Sequence, residues 1–383
     1  MEKATEHNVQ WVEKKLIELA DYYNGMAFKP SDWSDDGVKI IRIEQLNNPL
    51  GDYDHYKGSF PEINAIHDGD LIFSWSATLK VAIWKWGEGV LNQHLFKVVP
   101  FEDIDKPFLY FLLDYNMPKL GESSHGSTMK HIKRKELETY SVSIPYSLPA
   151  QRRIAAILSA ADKVIEQTRQ LIGKYKSIKM GMMEDLLKPK EGWKKVRLGD
   201  ICEPSSEKYN PLTESLFQYC IEMENLNQES GTINGKSDIT KLLSLKTKFH
   251  KGEVLYGKLR PYLRKYWLAD FDGACSTEIW VLKSAENIDN RFLFYLFQSE
   301  YINRIANLSS GTKMPRADWK LMANQEVNMP YKNNNPDLLE QRRIAKMLSG
   351  IDRKIEAEEK VLEKYTQIKK GLMEKLLNNQ YQV

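Results

Sequence analysis

The chain has 383 residues, enough for two or three domains with buried cores, and its 42% hydrophobic and 28% charged composition is that of a soluble globular protein. A formal charge of +3 neither demands nor excludes a polyanionic partner, so charge has to be read segment by segment. Cys202, Cys220 and Cys275 are too few and too scattered for a zinc knuckle or a disulfide framework, residues 1–10 lack a signal core, and no apolar run approaches the ~20 residues that cross a bilayer; the expectation is a cytoplasmic protein with no membrane partner.

Residues 1–148 read as a mixed strand and helix module. Strand-like runs fall at 38–43, 70–73, 81–84 and 95–99, and an amphipathic helix follows at 108–115. Two polar stretches interrupt the strands: Ser74, Trp75, Ser76 and Thr78 with Lys80, and Asn92, Gln93 and His94. Asn and Gln suit the edge of adenine; a satisfied structural turn is the alternative for each stretch. A Gly-centred loop carries Ser127, Thr128, Lys130 and His131, followed by Lys133.

Residues 149–188 predict one long helix. Ile154, Leu158, Ala161, Ile165, Thr168, Ile172, Tyr175, Lys179, Met182 and Leu186 alternate spacings of four and three, the 3.5-residue period of a coiled-coil seam. Thr168 and Lys179 are polar interruptions of that seam, the kind that fixes register at some cost in stability.

Residues 189–335 form a second mixed module, with strand-like runs at 217–223, 253–256 and 278–282 and a helix at 292–301. Its residues 251–267 gather Lys251, Lys258, Arg260, Arg264 and Lys265 against one acid, Glu253, with Tyr256, Tyr262, Tyr266 and Trp267 interleaved. Basic groups of this kind pair with phosphates, and Arg binds guanine bidentately; a solvated basic strand over core aromatics is the alternative. Ser276 and Thr277 are further polar candidates in this module. A second Gly-centred loop offers Ser310, Thr312, Lys313 and Arg316, small hydroxyls beside cations that suit phosphate or base contact.

Residues 336–378 predict a second long helix, leaving 379–383 as a tail. It repeats the first at an offset of 190, with 19 of 37 aligned positions identical between 151–187 and 341–377. Gln151, Arg152, Arg153, Ile154 and Ala155 recur as Gln341, Arg342, Arg343, Ile344 and Ala345, and the polar seam positions recur as Glu358 and Lys369. The modules repeat more faintly: Trp11-x4-Leu16 with Trp193-x4-Leu198, His67-Asp-Gly-Asp with His250-Lys-Gly-Glu, and Ile104-Asp105 with Ile288-Asp289. Helices that repeat well, joined to modules that repeat poorly, imply one shared scaffold and two different readings. If the equal seams pair, the helices run antiparallel, and the chain becomes nearly circular about a pseudo-two-fold axis.

This order, module then Gln-Arg-Arg-Ile helix, twice, resembles the specificity (S) subunit of type I restriction-modification systems. The resemblance covers essentially the whole chain and rests most on the two Gln-Arg-Arg-Ile starts and their Lys-Tyr…Ile-Lys…Gly…Met-Glu…Leu-Leu tails. It implies an α+β fold: two mixed α/β target recognition domains separated by two long antiparallel coiled-coil helices. It further implies a non-catalytic chain that reads a bipartite, asymmetric double-stranded DNA target for an adenine-N6 methyltransferase and restriction complex. Two methylation subunits and the restriction/translocase subunits would be its partners, carrying S-adenosylmethionine, ATP and Mg, with no cofactor or metal on this chain. Gln151, Arg152, Arg153, Gln341, Arg342 and Arg343 would belong to the framework whose exposed side meets the methylation subunits. The other reading of the same sequence is a non-catalytic coiled-coil interaction scaffold. A self-sufficient enzyme has no motif to support it: neither a phosphate-binding Gly-Lys loop nor a metal-binding His pair occurs. Asn334-Asn335-Pro336-Asp337 lacks the second proline and the aromatic of an adenine-methyltransferase motif.

Overall fold

The computed structural model describes residues 9–122, 132, 134–308 and 314–379. It divides into two compact units, Met1–Arg169 with Lys360–Val383 and Gln170–Glu359. The division falls within the two long helices, Leu148–Leu187 and Leu338–Leu377, so each unit holds one module and a portion of both helices.

In the first unit an antiparallel four-stranded sheet runs in the order Ala20–Asn24, Leu95–Pro100, Leu71–Ser74, Lys80–Ile83. A second sheet orders His55–Tyr56, Val38–Ile41, Gly89–Leu91 and Ala65–Ile66, with its central pair parallel. The terminal strands of the module, Trp11–Lys15 and Ser141–Pro145, pair antiparallel and bring the module's two ends together.

The second unit repeats this plan. Its antiparallel sheet orders Cys202–Pro204, Ile279–Ser284, Val254–Gly257 and Tyr266–Leu268. Its other sheet keeps the parallel pair, Tyr219–Ile221 with Gly273–Cys275, and adds an edge strand, Lys208–Tyr209. Trp193–Arg197 pairs with Glu326–Lys332 as the closing ladder.

The faint sequence repeats are local devices. In His67-Asp-Gly69-Asp70 the Asp70 carboxylate accepts from the His67 N–H at 2.9 Å, and in His250-Lys-Gly252-Glu253 Glu253 accepts from His250 at 2.7 Å. Both glycines take φ near +90°, a turn that a Cβ would strain. Asp105 and Asp289 cap the helices Lys106–Glu122 and Asn290–Gln298 by accepting from Phe108 and Phe292, each at 3.1 Å. The first of these helices outruns its expected end because it continues through Pro118, with Met117 and Leu120 buried beyond Tyr115. The second stops at Gln298 and restarts as Glu300–Ala306, because Ser299 leaves helical geometry and caps the next helix through Ile302.

The long helices complete each module's core. Ile154, Ala155 and Leu158 pack with Met373, Leu376 and Leu377 and the first module's interior; Leu186 packs with Ile344, Ala345 and Leu348 in the second. The start of one helix therefore meets the end of the other within each unit, the antiparallel pairing that the seam predicts. Thr168 is buried in the seam and satisfies its hydroxyl on the Val164 carbonyl at 2.8 Å.

Candidate nucleic-acid interface

Each unit brings three turns together at the end of its antiparallel sheet, and two backbone hydrogen bonds fasten them. In the first unit the Trp75 N–H donates to the His94 carbonyl at 3.4 Å, and the Ile132 N–H donates to the Trp75 carbonyl at 2.8 Å. In the second unit the Lys258 N–H donates to the Glu278 carbonyl at 3.0 Å, and the Ala317 N–H donates to the Lys258 carbonyl at 2.8 Å. Trp75 thus corresponds to Lys258, His94 to Glu278 and Ile132 to Ala317. Ala77 (φ +57°) and Arg260 (φ +51°) occupy the same left-handed position of the hairpin turn, a conformation costly for side-chain-bearing residues.

The polar stretches therefore lie at equivalent places, which the sequence offset alone did not reveal. Asn92 and Ser276 open the same turn, their N–H groups donating to Ile41 and Ile221 at 2.9 Å each. Ile132, which follows the first Gly-centred loop, and Pro315 and Ala317, which follow the second, are bonded into this junction. Ser127, Thr128, Lys130, His131, Lys133, Ser310, Thr312 and Lys313 themselves lie outside the described residues.

The described candidates separate into two groups. Thr78, His94, Arg260, Tyr262 and Thr277 are exposed, and Trp75, Gln93, Lys258 and Ser276 are half-buried. Arg316 is 52% exposed and paired with Glu278, its Nε and Nη2 donating to the carboxylate at 2.9 and 3.3 Å. That pairing raises the Arg316 pKa. The Gln93 side-chain oxygen, Oε1, is buried without a hydrogen-bond partner among the described residues.

Other candidates are committed to the fold. Ser74 is fully buried and donates to the Thr78 carbonyl at 2.7 Å; Ser76 and Asn92 are also buried. Lys80 donates to the Leu46 carbonyl and Lys265 to the Met223 carbonyl, each holding the turn after its module's first parallel strand. Arg264 is gripped by Glu300 and by Glu229, the latter at 3.8 Å, and holds the Glu300 carboxyl below its usual pKa. For these residues a base contact would compete with a bond inside the chain, because a donor already paired must break that bond to make another. Tyr256, Tyr266 and Trp267 are buried core aromatics beneath the basic turn.

The framework candidates split in the same way. Gln151 and Gln341 are fully buried. Gln151 accepts from the Asp105 N–H at 2.8 Å and donates to the Asp103 and Pro145 carbonyls at 3.1 and 3.0 Å. Gln341 accepts from Asp289 at 2.8 Å and donates to the Asn287 carbonyl at 3.2 Å. Their expected place on a partner surface is corrected: they tie helix to module. Arg152, Arg153, Arg342 and Arg343 are all exposed; Arg152 and Arg342 face Asp105 and Asp289, each at 3.5 Å, and Arg343 pairs with Glu340. Exposed apolar side chains recur on the helices at the repeat offset, Ile157 with Met347 and Ile178 with Ile368. In the first unit Ile157 lines a groove with Leu372, Lys375 and Leu376.

Among the described residues no three His, Cys, Asp or Glu side chains gather as metal ligands, and no helix is long and apolar enough to cross a membrane.

Comparison with known proteins places this architecture. The chain matches the family described as type I restriction modification DNA specificity domain twice, over residues 8–174 and 190–367. It belongs to that family, as a type I restriction-modification specificity subunit with two repeated domains. It is 25% identical over 356 residues to the type I restriction enzyme MjaVIII specificity subunit of Methanocaldococcus jannaschii, covering 83% of this chain and 80% of that protein. It is 24% identical over 290 residues to the EcoDI specificity subunit of Escherichia coli, covering 65% and 63%. Its fold is similar to a crystal structure of the S subunit from M. genitalium, with a TM-score of 0.60 at 17% identity over 98% of both chains. A chain from a structural study of complex assembly in the type I R-M system gives 0.54 at 16% identity, covering 97% of this chain and 99% of that one.

Proposed function

We propose that each module reads one half of a bipartite, asymmetric DNA target through its three-turn junction. The observation that carries this reading is the repetition of the junction. The same backbone bonds assemble it in both units, yet its side chains differ: Trp75, Ala77 and His94 in one, Lys258, Arg260 and Glu278 in the other. A scaffold built twice with different surfaces suits two different half-sites. Among the described residues the junction of the second module is the more basic and contributes more phosphate attraction.

The chain itself performs no catalysis in this reading. It positions two methylation subunits and the restriction/translocase subunits, which bind S-adenosylmethionine, ATP and Mg, in the cytoplasm. The recurring exposed pairs Ile157 with Met347 and Ile178 with Ile368, beside Arg153 and Arg343, support docking of two like subunits, one on each repeat of the helical framework.

Genome-wide mapping of N6-methyladenine in cells holding this chain and its methylation subunits, with and without the gene for this chain, tests the reading. Methylation at one bipartite motif that vanishes on deletion is the expected result. Methylation that persists unchanged means another chain selects the site.

A further inference from the structure

We propose that Tyr262 is a specificity-determining residue, its ring meeting the 5-methyl group of a thymine in the major groove of the half-site read by the second module; this rests on the proposed role of the modules as DNA readers.

The observation that carries it is a difference in length between two otherwise matched turns. In the first module the hairpin pairs Phe73 with Val81, and Lys80 anchors on the Leu46 carbonyl. In the second it pairs Tyr256 with Tyr266, and Lys265 anchors on the Met223 carbonyl. Residues 74–80 close the first hairpin and residues 257–265 the second, so the second turn is two residues longer. Ala77 and Arg260 hold the same place. From there Thr78 and Leu79 lead to Lys80, whereas Pro261, Tyr262, Leu263 and Arg264 lead to Lys265. The shorter turn already closes its hairpin, so closure does not call for the added residues.

The lengthened turn is held firmly and presents Tyr262. Pro261 is buried, and the Leu263 and Arg264 N–H groups donate to the Arg260 and Pro261 carbonyls, both at 2.9 Å. On either side, Arg260 and Arg264 take left-handed backbone, with φ of +51° and +49°, which is costly for residues with side chains. The Arg260 N–H donates to the Pro315 carbonyl at 2.8 Å, and the Arg264 carbonyl accepts from the Glu229 N–H at 3.0 Å. Between these fixed points Tyr262 is 51% exposed. An aromatic side chain with two rotatable bonds loses little entropy when such a contact forms.

The chemistry of the ring selects its target. Major-groove base edges display hydrogen-bond donors and acceptors, and thymine alone adds a methyl group. A phenol lacks the two-pronged geometry by which Arg, Asn or Gln reads a base edge, while its apolar ring suits the methyl. In the same turn, half-buried Lys258 and exposed Arg260 supply charge for the phosphates, so the ring is not needed for that task.

The test uses the full chain assembled with its methylation subunits, and duplexes of the mapped motif in which each thymine in turn is replaced by uracil, which removes only the methyl group. The wild-type complex is expected to bind about 4-fold more weakly at one such position in one half-site, the effect of one buried methyl. Tyr262→Ala should erase the difference between thymine and uracil there, leaving the other half-site and the melting temperature unchanged. Tyr262→Phe should retain it. A wild-type complex indifferent to uracil at every position overturns the proposal. So does a Tyr262→Ala complex that binds every duplex more weakly with the discrimination intact, or a Tyr262→Phe complex as impaired as Tyr262→Ala, which makes the hydroxyl the contacting group. A wild-type complex with no bipartite motif overturns the reading of the modules themselves and this proposal with it, a distinct failure.

Discussion

Lys179 of the first long helix reaches Asp352 of the second at 2.7 Å, and the repeat reproduces the pair as Lys369 with Asp162 at 2.6 Å. Both lysines interrupt an apolar seam and both are largely buried, with side chains 11% and 16% exposed. In the second unit Lys179 also donates to Gln298 at 2.8 Å, and the Tyr295 hydroxyl donates to Asp352 at 2.7 Å. A one-turn slip of the seam separates each lysine from its acid, which is how a buried polar site selects one register. Lys179→Met leaves the Asp352 carboxylate without its cation. The expected cost is about 2–4 kcal/mol, at the lower side of the range for breaking buried pairs because Asp352 keeps some contact with water. Lys179→Met combined with Asp352→Leu should recover most of it. Hydrogen exchange along residues 170–187 and 338–359 reads both outcomes, and a double variant no more stable than the single one refutes the pairing.

The two units differ at one position of this cluster. Where the second has neutral Gln298, the first has Asp114, whose carboxyl is pushed up from its usual pKa chiefly by burial and further by Asp162, with Lys369 opposing. The raised value means the folded first unit favours the protonated acid. Stability from this group is fully present below the unfolded carboxylate value, about pH 4, and is lost as pH rises through the folded value. Asp114→Asn should therefore stabilise the first unit at neutral pH, with the gain shrinking as pH falls through the raised folded value and gone below about pH 4. Urea midpoints of the two proteins across pH 3–8 measure it; a gain that grows on acidification contradicts the assignment.

How far the sequence discloses this architecture depends on the range of the interactions. The long helices declare themselves because a seam is a local, periodic signal, and the repeated Ile-Asp and His-x-Gly-acid motifs are legible because each is a cap or turn closed within a few residues. Two features stayed hidden. The closing ladders join residues more than a hundred apart, Trp11 with Pro145 and Trp193 with Pro330, and short amphipathic strands carry no trace of their distant partner. The roles of individual candidates were hidden too. Ser74, Lys80, Lys265 and Arg264 have the chemistry of DNA contacts, and only the structure shows the bonds each makes within the chain. The equivalence of Asn92 with Ser276 emerges from matching backbone bonds and not from residue type.

Gln151 offers a test of support against surface. Its amide satisfies one N–H and two carbonyls at full burial. Gln151→Leu keeps much of the volume but strands all three groups, at a cost of roughly 2–4 kcal/mol. The chain without partners should show this loss in a chemical melt, and Gln341→Leu should do the same in the second unit. Arg153→Ala should leave the melt unchanged and weaken association with methylation subunits. An unaltered melt for Gln151→Leu would mean the amide is not what ties the helix to its module.

The basic turn of the second module separates charge from position most directly. Arg260 is exposed at the apex, whereas the Lys265 ammonium is bound to the Met223 carbonyl at 2.6 Å. Each phosphate that a cation neutralises steepens the fall of log affinity with log salt by about 0.9. Arg260→Ala should therefore reduce that slope by about one unit and weaken binding to specific and non-specific duplexes alike. Lys265→Met should leave the slope unchanged, because its ammonium is held on the Met223 carbonyl and not presented to a phosphate, and should instead loosen the turn at residues 222–226, seen as faster hydrogen exchange there. Salt titrations of the assembled complex distinguish the two. If Lys265→Met lowers the slope and Arg260→Ala does not, the exposed apex is not where the phosphate binds and the DNA lies against the turn's other side.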